Sequence, residues 1–127
     1  ELYSKVCEFI RERGSLFTNG IVFKEFVDLR RDSGEWRAFF LYGKLVDISL
    51  NSDIDPKGVF SPPKEFVQNI GNILSKHSNF FTVDMAMMEK TRRWIVLETG
   101  DGGVSGLPLN MNPFAFYNDL IINYEEI

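Results

Sequence analysis

Phe80-Phe81-Thr82-Val83-Asp84-Met85-Ala86-Met87-Met88, the polar turn Glu89-Lys90-Thr91-Arg92, then Arg93-Trp94-Ile95-Val96-Leu97-Glu98-Thr99 and the loop Gly100-Asp101-Gly102-Gly103-Val104-Ser105-Gly106-Leu107-Pro108 form the stretch that decides the fold. Two apolar runs around a short polar turn predict an antiparallel hairpin. Strand side chains alternate between two faces. Phe81, Val83, Met85 and Met87, with Arg93, Ile95, Leu97 and Thr99, form a mostly apolar face expected to cover a core. The opposite face carries Thr82, Asp84, Ala86 and Met88, with Trp94, Val96 and Glu98.

Asp84 and Glu98 thus share one face of one hairpin. An odd-numbered loop lets them stand directly opposite, with Cβ atoms about 5 Å apart. Two facing carboxylates repel. A chain tolerates this when a cation lies between them or when one acid keeps its proton. Both are hard oxygen donors, which suits magnesium. The alternative is a solvated hairpin face on which two acids happen to align.

The 127 residues fit one domain or one large subdomain. With 44% hydrophobic and 25% charged residues a packed core can form, and twelve Phe make it aromatic-rich. The net charge of −4 and the absence of a long basic run argue against a nucleic-acid partner. One cysteine, Cys7, permits no internal disulfide and no cysteine-based metal site. Its place on an apolar helical stripe predicts a small buried hydrophobe. The lone His77 cannot build a His-rich zinc site. No apolar run is long enough to span a bilayer and no signal peptide is visible, so no membrane partner and a cytoplasmic location are expected. The chain opens on Glu1 rather than Met. The expectation is a single subdomain over 1–127, part of a longer protein.

Leu2, Val6, Phe9 and Ile10 recur about once per turn, which predicts a helix over residues 2–13 stopped by Gly14. Gly20 to Leu29 reads as a strand and Glu35 to Tyr42 as a second. On the latter, Trp36, Ala38 and Phe40 face one way; Glu35, Arg37 and Phe39 face the other. Gly43-Lys44 suits a type II′ turn with glycine at its first central place, returning the chain as Leu45 to Leu50. Asn51 to Ser61 is a polar loop with Pro56 and Gly58. Ser61-Pro62 reads as cap and first residue of a helix whose stripe is Phe66, Val67, Ile70, Ile73 and Leu74. Asn112-Pro113 starts a last helix, with Tyr117, Leu120, Ile121 and Tyr124 inward. The order α-β-β-β-α-β-β-α places the chain in the α+β class, an antiparallel sheet covered by helices.

Four glycines between Gly100 and Gly106 can bring backbone N–H groups close to an anion. The loop matches neither the P-loop nor the dinucleotide fingerprint, and a plain surface connection reads equally well. Glu35 and Arg37 form either an exposed ion-pair set or an acceptor and a fixed cation facing a phosphate ester. Lys24-Glu25-Phe26-Val27 is either ordinary strand or an edge offering backbone groups to a planar base.

Together and in this order, these features resemble the C-terminal half of an ATP-grasp domain, from about Ile21 to Leu109. The resemblance rests on the strand Asp in Val83-Asp84-Met85, the following hairpin, the return strand ending Val96-Leu97-Glu98, and the loop closing Gly103-Val104-Ser105-Gly106-Leu107-Pro108. It looks closest to a small clade of amide-bond-forming ATP-grasp proteins of bacteria and their phages. The family couples ATP cleavage to joining a carboxylate to an amine through an acyl-phosphate, so the resemblance implies ATP and Mg2+ as cofactors and carboxylate and amine substrates as partners. It implies metal ligation by Asp84 and Glu98, contact with the base by Glu25, Phe26 and Val27, contact with the ribose by Glu35, and contact with the phosphates or acyl-phosphate by Arg37.

Two departures are visible. The family usually has Glu-x-Asn, whereas Glu98-Thr99-Gly100 puts glycine in the Asn place; Asp101, next along, is the candidate substitute ligand. The family's N-terminal subdomain, with its phosphate-binding lysine, has no counterpart, which implies a larger protein or a reduced form. A non-catalytic nucleotide-binding or protein-interaction module of the same fold is the alternative.

Overall fold

The computed structural model describes residues 1–55 and 57–125; Pro56 of the polar loop lies outside them. The core is an antiparallel sheet of β1 (Glu35–Leu41), β2 (Lys44–Leu50), β3 (Phe80–Met87) and β4 (Trp94–Asp101). Strand order is β2-β1-β3-β4, so two hairpins join edge to edge and β1 pairs with β3 at the centre. Three helices accompany the sheet: α1 (Leu2–Arg13), α2 (Lys64–Leu74) and α3 (Pro113–Glu125). The expected α+β class and antiparallel sheet are what the chain forms.

Alternation along the strands builds two cores. On one face Ala38, Phe40, Phe81, Val83 and Met85 are buried beneath Val67 of α2, with Ile70, Leu74 and Trp94 packed around them. The Phe40 and Phe81 rings stack at 5.1 Å between centroids. Burying each such side chain stabilises the fold by about 2–3 kcal/mol. α2 can lie this close because residue 71 is glycine: a Cβ there would overlap the Phe40 ring, coming within 2.7 Å of its Cδ1. On the other face Phe39 packs edge-on against Phe116 of α3 at 4.7 Å, with Met111, Phe80, Val46 and Leu107 nearby. α3 therefore covers the Phe39 end of this face, while Glu35 and Arg37 extend beyond it on the same strand.

Several local expectations are corrected. Gly20 to Leu29 forms no strand; only Leu29 bridges, to Met88. Val22, Phe23 and Phe26 are exposed, so the β-forming composition finds no sheet to join among the described residues. The β1–β2 turn is centred on Tyr42-Gly43, with φ 50° and 77°, the two positive values of a type I′ turn. α2 starts at Lys64 after Pro63 rather than at Pro62, and Ser61 does not cap it. Ile73 is exposed. In α3 the inward residues are Phe116 and Leu120, while Tyr117, Ile121 and Tyr124 are exposed. Cys7 is exposed because α1 buries none of its residues. The Asn112 start is as expected: its Oδ1 accepts from the N–H groups of Phe114 and Ala115 at 3.0 and 3.2 Å. No helix among the described residues is long and apolar enough to cross a membrane.

Candidate functional site

The sheet register assembles one transverse row. Arg37 of β1 pairs with Ser49 of β2 on one side and with Asp84 of β3 on the other. Asp84 in turn pairs with Glu98 of β4. The two acids thus stand in direct register, as the hairpin pattern predicts. A β-bulge follows immediately: Asp84 pairs with Glu98 but Met85 with Val96, leaving Leu97 as the extra residue. The bulge reverses the faces of the strand beyond it. That is why Trp94, expected beside Asp84, packs instead in the α2-side core.

Arg37 is the cation of this row. Its Nε and Nη2 donate to the two Asp84 carboxylate oxygens, each at 2.7 Å, in a two-bond fork. Its Nη1 donates to the Gly106 carbonyl at 3.0 Å. Asp84 is only 6% exposed. A buried carboxylate needs such a partner, since an unpaired one would cost several kcal/mol. Sequence reasoning placed both residues on suitable faces but missed their contact. The available signal was an acid inside the buried run of β3, which demands a cation, and Arg37 on the neighbouring strand.

Glu35 and Glu98 complete the electrostatics. Glu35 is half-buried, and its pKa is raised by burial first and then by the charge of Asp84. Asn51 hydrogen-bonds it and Arg37 attracts it, while Glu98 adds further repulsion. Three carboxylates thus act on a single guanidinium, an excess of two negative charges when all are ionised.

The glycine-rich loop is held down at several points. The Asp101 carbonyl accepts from the Ser105 N–H at 3.2 Å and from the Ser105 hydroxyl at 2.7 Å. Ser105 and Thr82 share a hydroxyl hydrogen bond of 2.9 Å. Gly102 N–H donates to the Phe80 carbonyl at 3.2 Å. A Cβ on Gly100 would lie 3.0 Å from Thr82 Oγ1 and 3.2 Å from Ser105 Oγ, so these hydroxyls occupy the space into which a longer side chain would grow. Neither Thr82 nor Ser105 stood out in the sequence, where hydroxyl residues in a strand and a loop are unremarkable.

The structure does not bring Asp101 into the row. It pairs with Phe81, on the α2 side of the sheet by alternation, and its Oδ1 accepts from the Gly103 N–H at 2.7 Å. Glu25, Phe26 and Val27 lie in an extended segment, with Phe26 90% exposed. Lys24 ties this segment to the β4 bulge, its Nζ donating to the Leu97 carbonyl at 3.3 Å, one residue from Glu98.

No three His, Cys, Asp or Glu side chains among the described residues group as a protein-only metal cage. Two carboxylates on one row nevertheless suit magnesium, which keeps its waters and takes phosphate oxygens beside one or two carboxylates. The fork uses two of the roughly four acceptor positions of Asp84, leaving lone pairs free. The donor set therefore fits a cation carried in with a nucleotide.

A family model for an ATP-grasp domain, the third family of its clade, matches residues 1–120, a wider span than the resemblance from Ile21 to Leu109. It takes in α1 and part of α3. No curated protein matches the chain. The chain belongs to the ATP-grasp superfamily, in that third clade family, and so to the ATP-dependent, ligase-type nucleotide-binding domains that the superfamily comprises.

Proposed function

We propose that this chain is the ATP- and magnesium-binding part of a carboxylate–amine ligase that works through an acyl-phosphate. The observation that carries the proposal is the row Arg37–Asp84–Glu98, with Glu35 beside it, at the end of the sheet face that α3 leaves uncovered.

In this reading the backbone of Glu25, Phe26 and Val27 meets the base, and Glu35 accepts from the ribose hydroxyls. Asp84 and Glu98 hold the divalent ion, which when bound neutralises phosphate charge. Asp101, committed to its own loop, stays a reserve donor at most. Arg37 places a fixed positive charge against the transferring phosphoryl group, where charge stabilisation matters most. The Thr82–Ser105 pair fixes the base of the glycine loop next to Glu98. An amine then displaces phosphate from the acyl-phosphate.

The test is a thermal melt of the intact protein. Magnesium and ATP together raise Tm, by an amount set by concentration over Kd, and Asp84→Asn removes the rise. Amide formation or phosphate release that Glu98→Gln abolishes establishes the ligase half of the proposal. No shift in the wild-type protein counts against the binding half.

A second reading has its own observation. The place of the usual metal-binding Asn is Gly100, and the space beside it holds the Thr82 and Ser105 hydroxyls. A module that binds nucleotide without turnover would tolerate that loss. Binding with no product from any amine or carboxylate tried would favour it.

A further inference from the structure

The Arg37 guanidinium engages both oxygens of Asp84 and, through Nη1, the carbonyl of Gly106. Three of its five N–H donors are thus occupied by two elements that lie 22 residues apart in the chain. Asp84 is buried, and the Arg37 side chain covers it with 21% of its own surface exposed. A divalent ion approaching Asp84 from the Glu98 side meets a carboxylate whose charge the fork already balances. Phosphate oxygens approaching Arg37 meet a guanidinium already bound on two edges.

We propose that Arg37 is a latch: its fork stands in for the divalent cation on Asp84, and loading the site requires Arg37 to leave Asp84 and release Gly106. This rests on the reading of the row as the metal–nucleotide site. The exchange is balanced in charge, since Asp84 trades one cation for another while the departing guanidinium gains the phosphates. It also gives the glycine loop two unequal anchors. The Ser105 contacts to Thr82 and Asp101 are independent of Arg37 and hold the first half of the loop. The Gly106 contact depends on Arg37 and opens with it. Phosphate arrival is thereby coupled to freedom in residues 106–108, the part of the loop that Arg37 ties down.

Two measurements on the intact protein test the latch. The first is Mn2+ binding without nucleotide, read by electron paramagnetic resonance, in wild type and Arg37→Lys. Lysine keeps the positive charge but cannot fork two carboxylate oxygens. The latch predicts binding about fivefold or more tighter in Arg37→Lys, within the range typical of coupled sites. Equal affinity means that Arg37 acts only as a charge, and overturns the proposal. The second needs no variant and so survives a failure of Arg37→Lys to fold. It follows the Arg37 Nε–H resonance of the wild-type protein by NMR as magnesium and a non-hydrolysable ATP analogue are added. Movement of that resonance on binding is the expected result. An unmoved resonance with binding confirmed by calorimetry overturns the latch and leaves the nucleotide site standing. Absence of any binding overturns both.

Discussion

Arg37 and Asp84 face each other across the central strand pair of the sheet and share two hydrogen bonds of 2.7 Å. The pair is unequal: the Asp84 side chain is 9% exposed and that of Arg37 21%. Removing the cation strands a buried carboxylate beside Glu35 and Glu98. Removing the anion leaves a wetter guanidinium that still faces those two acids. Arg37→Gln is therefore expected to cost about 3 kcal/mol of stability, and Asp84→Asn about 1–2 kcal/mol. Urea unfolding of both variants checks the order, and the reverse order would contradict this account of the row.

Glu35 makes a pH prediction. Its folded-state pKa lies above the ordinary value because burial and the charge of Asp84 disfavour its ionised form. Such a carboxyl binds its proton more tightly in the folded than in the unfolded chain, so folding loses stability as pH rises from the ordinary Glu value through the raised one. Glu35→Gln removes that loss. Its advantage over wild type is expected to be small near pH 4 and to grow toward pH 7, roughly spanning the Glu titration range. Thermal melts across that range without divalent cation measure it. An advantage that shrinks as pH rises would contradict the assignment.

Gly71 tests the α2–sheet contact. In a free helix, Gly→Ala gains about 1 kcal/mol. Here the new methyl runs into the Phe40 ring, 2.7 Å from Cδ1, and Phe40 is fully buried. Overpacking of this kind costs about 1–3 kcal/mol and outweighs the propensity gain. Gly71→Ala is expected to lower the urea midpoint, whereas a rise would show that α2 can shift outward freely.

The β1–β2 turn is a site of avoidable strain. Tyr42 sits at φ 50°, a conformation that costs a bulky residue about 1 kcal/mol or more. Tyr42→Asn creates the Asn-Gly pair favoured in type I′ turns and is expected to raise stability by about 1 kcal/mol. A scan of Tm in the two proteins decides it.

How much of this was legible depended on the range of the interaction. The hairpin, the faces of β1 and the facing of Asp84 and Glu98 followed from alternation, which is local. The Asn112 cap and the Gly14 stop also followed from local chemistry. The turn at Tyr42-Gly43 was misplaced by one residue because glycine tolerates either central position, while a tyrosine with positive φ gives no warning. The segment from Gly20 to Leu29 has strand composition, but a strand needs a neighbour, and composition does not supply one. The Leu97 bulge was invisible because one extra residue leaves the apolar pattern intact while reversing which face Trp94 serves. The Arg37–Asp84 fork depended on β1 inserting beside β3, a pairing across 47 positions that no local pattern encodes.

The central claim is that Asp84 and Glu98 share a magnesium ion brought in by ATP, and Glu98 is the residue through which to ask. It is exposed, so Glu98→Gln leaves packing and the Arg37 fork in place. Isothermal titration of ATP with magnesium into the intact wild-type protein and into Glu98→Gln is the direct measurement. The account predicts saturable, magnesium-dependent binding in the wild type and an affinity at least about tenfold weaker in the variant, as expected for losing one ligand of a shared cation. Equal affinity in the two proteins, or no binding to the wild type, would contradict it.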